Sequence, residues 1–315
     1  MRILLQFPEG LKQKGLELAK RYESEGNEVF LSASPCYGAC DIALDEARWL
    51  KVDKIVHIGH NKFVKTDLPI PVEYVEYNID VDINGLKAVL PYIEKYTNIA
   101  VATTVQHIHQ FDQFKLFFEQ HGKKVFAEGG YWATKPGQVL GCDSFGIKKV
   151  EGKVDAIVFV GNGMFHPLAI DVSKDNNGKE KPVFVYNTYD GKVTNVNADI
   201  ELLKKRRKGS IAAALSCKTF GIMVSTKIGQ FNLAQATWAK KELEKRGFVA
   251  AILTANELDP LTVNNFMVFD CYINTACPRI VDDLDEFGKP LLNMDMLREV
   301  FEILDKNVNF TVSKS

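Results

Sequence analysis

Nowhere in the chain does an apolar run approach the roughly 18 residues that a membrane-spanning helix needs. The amino-terminal stretch MRILLQFPEGLKQKG reaches Pro8 and Glu9 after only a few apolar residues. Neither a secretion signal nor a membrane anchor is expected, and the chain reads as cytoplasmic. Net charge is nearly absent as well: 39 basic side chains stand against 40 acidic ones, leaving −1. No global field draws the protein to nucleic acid or to an anionic membrane, so neither is expected as a direct partner. Cysteine is sparse, with six in 315 residues. Outside a secretory context that pattern argues against a disulfide framework and for reduced thiols, either packed as small hydrophobes or used as metal ligands. What is present is an ordinary globular composition, 46% hydrophobic, with material for two or three domains.

Sliding the chain against itself exposes an internal repeat. The segments RILLQFPEGLKQKGLELAKRYESEGNEVFLSA from Arg2, NIAVATTVQHIHQFDQFKLFFEQHGKKVFAEG from Asn98 and FGIMVSTKIGQFNLAQATWAKKELEKRGFVAAILTA from Phe220 share one plan. Each has an apolar run, a polar loop, an amphipathic stretch of helical period, a glycine (Gly26, Gly122, Gly247) and a second apolar run. That order predicts strand, loop, helix, glycine stop and strand. Third strands follow in VDKIVHIGH, VDAIVFVGN and FDCYINTAC, and fourth strands in IPVEYVEYN, KPVFVYNTY and KPLLNMDML. Strands that alternate with helices and are apolar on both faces imply parallel sheets covered by helices.

The fold class expected is therefore α/β, as three similar parallel-sheet domains over residues 1–96, 97–208 and 209–315. The boundaries fall near Tyr96 and near the basic run KKRRKG at 204–209. Three such units can surround a pseudo-threefold axis. Ligands of open parallel sheets bind beyond the carboxyl ends of the strands, which directs attention to the loops there.

That expectation selects among the cysteines. Cys40 lies 13 residues before Asp53, and Cys142 lies 13 residues before Asp155, at equivalent positions of the VDxIV repeat. In the third unit the same count from Asp270 arrives at Glu257, whereas Cys277 ends the third strand, aligned with His60 and Asn162. Each unit thus offers one cysteine at a carboxyl-end loop: Cys40, Cys142 and Cys277. Soft sulfur donors favour iron–sulfur or zinc, and three thiolates from distant positions suit a 4Fe-4S cluster with one iron left without a protein ligand. Three ordinary reduced cysteines near loops are the bland alternative. Cys271 and Cys217 read as packing residues. Cys36 is able to assist or replace Cys40, but no cysteine stands four residues before Cys142.

Together YGACDIA, LGCD, STKIGQ and ACPRI resemble, over essentially the whole chain, the archaeal diphthamide-biosynthesis family, the 2-(3-amino-3-carboxypropyl)histidine synthases. The resemblance implies a homodimer in which each of three α/β domains gives one cysteine to a central 4Fe-4S cluster, the ligands carried over being Cys40, Cys142 and Cys277. It also implies a departure from ordinary radical S-adenosylmethionine enzymes, whose CxxxCxxC segment fails here at its third position. The reduced cluster, fed by an external electron donor, would cleave a different carbon–sulfur bond of S-adenosylmethionine. The 3-amino-3-carboxypropyl radical so formed, with methylthioadenosine as the other product, would add to C2 of a histidine imidazole in translation elongation factor 2. Orientation of the sulfonium must come from the protein. Lys227 and Gln230 in STKIGQ, Arg279 after Cys277 and His60 at the end of HIGH are the expected contacts, each with a surface or turn role as its alternative. HIH at 107–109 reads as a loop or helix start, and KKRRK as a solvated helix end. Three other readings stay open: a quinolinate-synthase-like cluster enzyme acting on small metabolites, an iron–sulfur sensor without turnover, and a metal-free α/β binding protein.

Overall fold

The strands of each repeat pair in one shared order. In this computed structural model, which describes residues 1–170, 178 and 180–312, the first sheet contains β1 (Arg2–Gln6), β2 (Glu28–Leu31), β3 (Lys54–Ile58) and β4 (Val72–Val75). They lie in the order β2-β1-β3-β4, all parallel. The second sheet contains β5 (Asn98–Thr103), β6 (Lys124–Phe126), β7 (Ala156–Val160), β8 (Val183–Tyr186) and β9 (Val193–Asn195), in the order β6-β5-β7-β8-β9. The third contains β10 (Thr219–Ser225), β11 (Val249–Ala255), β12 (Cys271–Asn274) and β13 (Leu291–Asn293), in the order β11-β10-β12-β13. The central strands β1, β5 and β10 are buried at all but their first residue, as continuous apolar runs covered on both faces must be.

Two local devices recur with the repeat. The helices Gly15–Ser24, Phe111–Gln120 and Leu233–Lys245 are followed by Gly26, Gly122 and Gly247, with φ of 81°, 76° and 80°. Glycine reaches this left-handed conformation without a Cβ clash, and the chain then turns back toward the sheet. In the second and third units the next N–H closes the turn, Lys123 on the Phe118 carbonyl and Phe248 on the Leu243 carbonyl, both at 3.1 Å. The repeated aspartates form the other device. Asp53 accepts from the Arg2 N–H at 2.7 Å, Asp155 from the Asn98 N–H at 3.1 Å and Asp270 from the Thr219 N–H at 3.0 Å. Each ties the entry of a third strand to the start of its first strand.

Two features depart from the sequence reading. β9 pairs antiparallel with β8, because Asn187 to Lys192 closes a hairpin in which the Asn187 N–H bonds the Lys192 carbonyl at 2.9 Å. The run KKRRKG lies inside the continuous helix Asn197–Ala214 and is not a helix end. Lysine and arginine are good helix formers, and Arg206 and Arg207 are held by Asp285 and Asp282 at 3.2 and 2.7 Å.

The chain divides into two compact units, Met1–Ile200 with the first two sheets and Glu201–Ser315 with the third. Within the first unit, carboxyl-end loops of the two sheets pack on each other. Phe63 stacks on Trp132 with centroids 4.5 Å apart, Gln138 Nε2 donates to Asn61 Oδ1 at 2.9 Å and Lys135 pairs with Glu76 at 2.7 Å. HIH joins the same seam: His107 Nδ1 donates to the Ile79 carbonyl at 2.8 Å and His109 Nε2 lies 2.8 Å from Asp80. Among the described residues no helix is long and apolar enough to cross a membrane.

The short helix Phe145–Val150 fixes one end of the Cys142 loop, and its Gly146 has no room for a side chain, since a Cβ there would overlap the Glu128 carbonyl oxygen. Gly146→Ala is expected to lower unfolding stability by about 1–3 kcal/mol, read as a lower urea midpoint at unchanged slope. Gly152→Ala, where a Cβ meets nothing within 4 Å, is expected to stay within about 0.5 kcal/mol.

Candidate functional site

In both carboxyl-end loops of the first unit, a cysteine is followed by an aspartate that holds the loop. Cys40 is half-buried, in the loop after β2. Asp41 donates its N–H to the Gly38 carbonyl at 3.0 Å, and its carboxylate faces the Tyr37 N–H at 3.5 Å. Cys142 is exposed at the tip of a tight turn in which Leu140 and Asp143 exchange backbone hydrogen bonds of 2.9 and 3.2 Å. The Asp143 carboxylate accepts from the N–H groups of Trp132, Ala133 and Phe145 at 2.6, 3.0 and 3.1 Å. Such charge-assisted bonds to backbone are among the strong ones. They fix the turn through its main chain and leave the choice of sulfur partner to the cysteine. Glycine is required beside them, since a Cβ on Gly130 would overlap the Asp143 carboxylate and one on Gly141 would overlap the Phe165 ring. The Cys–Asp dipeptide common to YGACD and LGCD is the signal that marks Asp41 and Asp143.

In the second unit, Cys277 follows β12 and precedes the short 3₁₀ segment Pro278–Asp283. Asn274 clamps it, donating through Nδ2 to the Cys277 carbonyl at 2.8 Å while Oδ1 accepts from the Ala276 N–H at 3.0 Å. Burial pushes the Cys277 thiol up, and the backbone N–H groups of Arg279 and Ile280 on the sulfur act in the opposite direction, favouring thiolate. Arg279 is buried, with Nε 2.5 Å from Asp282, and the same carboxylate takes Arg207 at 2.7 Å. Lys227 follows β10, also buried, and pairs with Glu257 at 2.6 Å. Gln230 shares its turn, donating its N–H to the Lys227 carbonyl at 2.9 Å. Glu257 occupies the position that counting from the repeat equates with Cys40 and Cys142, so the third unit has a carboxylate partner for lysine there. Cys271 and Cys217 are buried in the core of this unit.

His60 belongs to a network that the sequence reading missed. Gln6, at the end of β1, is fixed by two main-chain groups: Nε2 donates to the Asp41 carbonyl at 2.7 Å and Oε1 accepts from the Ala43 N–H at 3.1 Å. Oε1 also faces His57 Nδ1 at 3.0 Å, and His57 Nε2 lies 3.0 Å from His60 Nδ1. His57 is wholly buried and burial pulls it down to about 3, with His60 beside it adding to the effect; burial likewise pulls His60 down to about 4. Both rings are therefore neutral at physiological pH. The partners are 35 and 51 residues apart in sequence, so the HIGH end of the third strand is the local signal for them. Cys36, buried in the same loop as Cys40, offers its sulfur within 4.8 Å of donor nitrogens of both histidines.

Comparison with known proteins bears on the family and the fold. The sequence profile of the diphthamide synthesis protein family matches residues 7–307. The chain is 37% identical over 295 residues to the 2-(3-amino-3-carboxypropyl)histidine synthase of Pyrococcus horikoshii, covering 92% of this chain and 83% of the relative. It is 31% identical over 336 residues to the enzyme of the same name from Methanocaldococcus jannaschii, covering 97% and 85%. Among solved structures, Dph2 from Pyrococcus horikoshii with a 4Fe-4S cluster superposes with a TM-score of 0.84 at 34% identity, over 96% of this chain and 86% of that one. With a profile match across nearly its full length and relatives of this identity and coverage, the chain belongs to the diphthamide synthesis protein family.

Proposed function

We propose that this protein transfers the 3-amino-3-carboxypropyl group of S-adenosylmethionine to C2 of a histidine imidazole in translation elongation factor 2, and that Cys40, Cys142 and Cys277 hold a 4Fe-4S cluster for it. The observation that carries the reading is the relative of the same architecture, Dph2 with its 4Fe-4S cluster, over 96% of this chain. The donor set fits the group. Three cysteines stand in carboxyl-end loops restrained through main chain by Asp41, Asp143 and Asn274, and backbone N–H groups at Cys277 favour the thiolate that soft iron takes. Three protein ligands for four irons leave one iron for substrate. When bound, the cluster supplies the electron that opens a carbon–sulfur bond of the sulfonium and releases methylthioadenosine.

The chain's own residues then bind and orient the substrate. The Lys227–Glu257 pair is complementary to the zwitterionic end of an amino acid, with the ammonium of Lys227 meeting the α-carboxylate and the Glu257 carboxylate meeting the α-ammonium. Gln230, in the same turn, supplies an amide to either group. Arg279, held rigid by Asp282, acts as a fixed positive charge beside the Cys277 ligand. His60, neutral through burial, can lie near a sulfonium without the repulsion that an imidazolium would exert. Orientation of this kind decides which sulfonium bond meets the open iron. The same reading takes in a cytoplasmic homodimer and an external one-electron donor.

Two experiments test the proposal. Anaerobically isolated protein, given dithionite, S-adenosylmethionine and elongation factor 2, is expected to release methylthioadenosine and to raise the mass of the target histidine peptide by one aminocarboxypropyl group. Release of 5′-deoxyadenosine with an unmodified peptide would contradict it. Iron analysis of separate variants checks the ligands: Cys40→Ala, Cys142→Ala and Cys277→Ala are each expected to lose the cluster, while Cys36→Ala keeps it. Asp143→Ala orphans three N–H groups, costing roughly 2–4 kcal/mol of stability, and is expected to lower iron content with its thiol still present; Asp143→Asn recovers part of both.

A further inference from the structure

Outside the three proposed cluster ligands, among the described residues, two buried side chains and one half-buried one have the composition and spacing of a metal site. Cys36, His57 and His60 place one donor atom each within 4.8 Å of one another. Two nitrogens and one thiolate form a borderline-to-soft set that suits zinc and disfavours magnesium or calcium, which require oxygen.

Chain geometry assembles the trio. In an extended strand, residues three apart point to opposite faces. Gly59, at φ +95°, turns the backbone after β3 so that the two rings approach to a centroid distance of 5.1 Å. Only glycine adopts that conformation readily, and a Cβ would press on Pro8 at 3.2 Å. The tautomer of His57 is also set. Because Gln6 Nε2 donates to the Asp41 carbonyl and Gln6 Oε1 accepts from the Ala43 N–H, Oε1 is an acceptor toward His57 and Nδ1 of His57 must carry the proton. Its Nε2 lone pair then points at His60, 3.0 Å away. A hydrogen-bonded partner on the far nitrogen is the usual support of a metal-ligating histidine, and the same Gln6 anchors the loop bearing Cys36.

We propose that Cys36, His57 and His60 form a second metal site, for Zn²⁺, separate from the cluster thiolates. Binding converts the Cys36 thiol to thiolate with release of one proton to solvent. It also moves the His60 proton from Nδ1 to Nε2, so that His57 Nε2, His60 Nδ1 and Cys36 Sγ face the ion. A fourth position remains for water. His60 keeps its Nε2 for other contacts, and the proposal stands whether or not the cluster assignment holds.

The test uses the full chain isolated anaerobically with whatever cluster it carries, treated with one equivalent of Zn²⁺ and desalted. Elemental analysis is expected to find one zinc per chain, and X-ray absorption at the zinc edge to find two nitrogens at about 2.0–2.1 Å and one sulfur at about 2.3 Å. Cys36→Ser and His60→Gln are expected to weaken zinc binding by more than about 100-fold, and Gln6→Ala by about 10–100-fold. The wild-type spectrum needs no variant to fold. Absence of retained zinc, a shell of sulfur alone, or retention undiminished in Cys36→Ser and His60→Gln would each overturn the site.

Discussion

A parallel strand buried on both faces can contribute chemistry only where it ends, because its side chains are committed to packing against helices and its backbone to the ladder. All four strands in the first and third sheets run parallel, as do four of the five in the second. Their carboxyl ends therefore deliver loops to one edge of each sheet, and the residues proposed for the cluster and the substrate follow such ends. Cys40 and Cys142 follow second strands, His60 and Cys277 follow third strands and Lys227 follows a first strand. The scaffold settles the edge, and the loops supply the variation.

Loops that carry ligands must be held without their ligands being consumed. In this chain the restraint comes from main-chain capture by a neighbouring side chain: Asp143 gathers three N–H groups, and Asn274 both gives and takes around Cys277. Gln6 reaches across from the first strand to secure the Cys40 loop at two points. Glycines complete these arrangements where a side chain would collide with the restraining group, at Gly130 and Gly141. In the third unit the role of the equivalent loop is different: Glu257 neutralises a buried lysine in place of offering sulfur. A repeated strand order has thus been given different side chains at related positions.

Much of the fold was legible because its signals are local. Period-two and period-3.6 patterns, the glycine stops and the VD dipeptide all act within a few residues, and three copies reinforced one another. The loop positions of Cys40 and Cys142 followed from the repeat count and that of Cys277 from its place at the end of a third strand, whereas their proposed shared ligation rests on chemistry and kinship and not on strand pattern. The Gln6–His57–His60 chain was illegible, since hydrogen bonds across 51 residues leave no periodic trace. Cys36 looked superfluous for the same reason: it matches nothing in the repeat, and its neighbours in space come from another strand end. The basic run at 204–209 misled because charge alone does not distinguish a helix end from the solvated face of a continuous helix such as Asn197–Ala214.

The central claim is that three units contribute one thiolate each, leaving a single iron of the cluster for S-adenosylmethionine. Mössbauer spectroscopy of the ⁵⁷Fe-enriched protein addresses it directly. On addition of S-adenosylmethionine, one iron of the four is predicted to separate from the rest with a changed isomer shift and quadrupole splitting, because only the iron without a thiolate is open to the substrate. A spectrum in which all four irons remain tetrahedral and sulfur-ligated, unchanged by the substrate, would contradict the account.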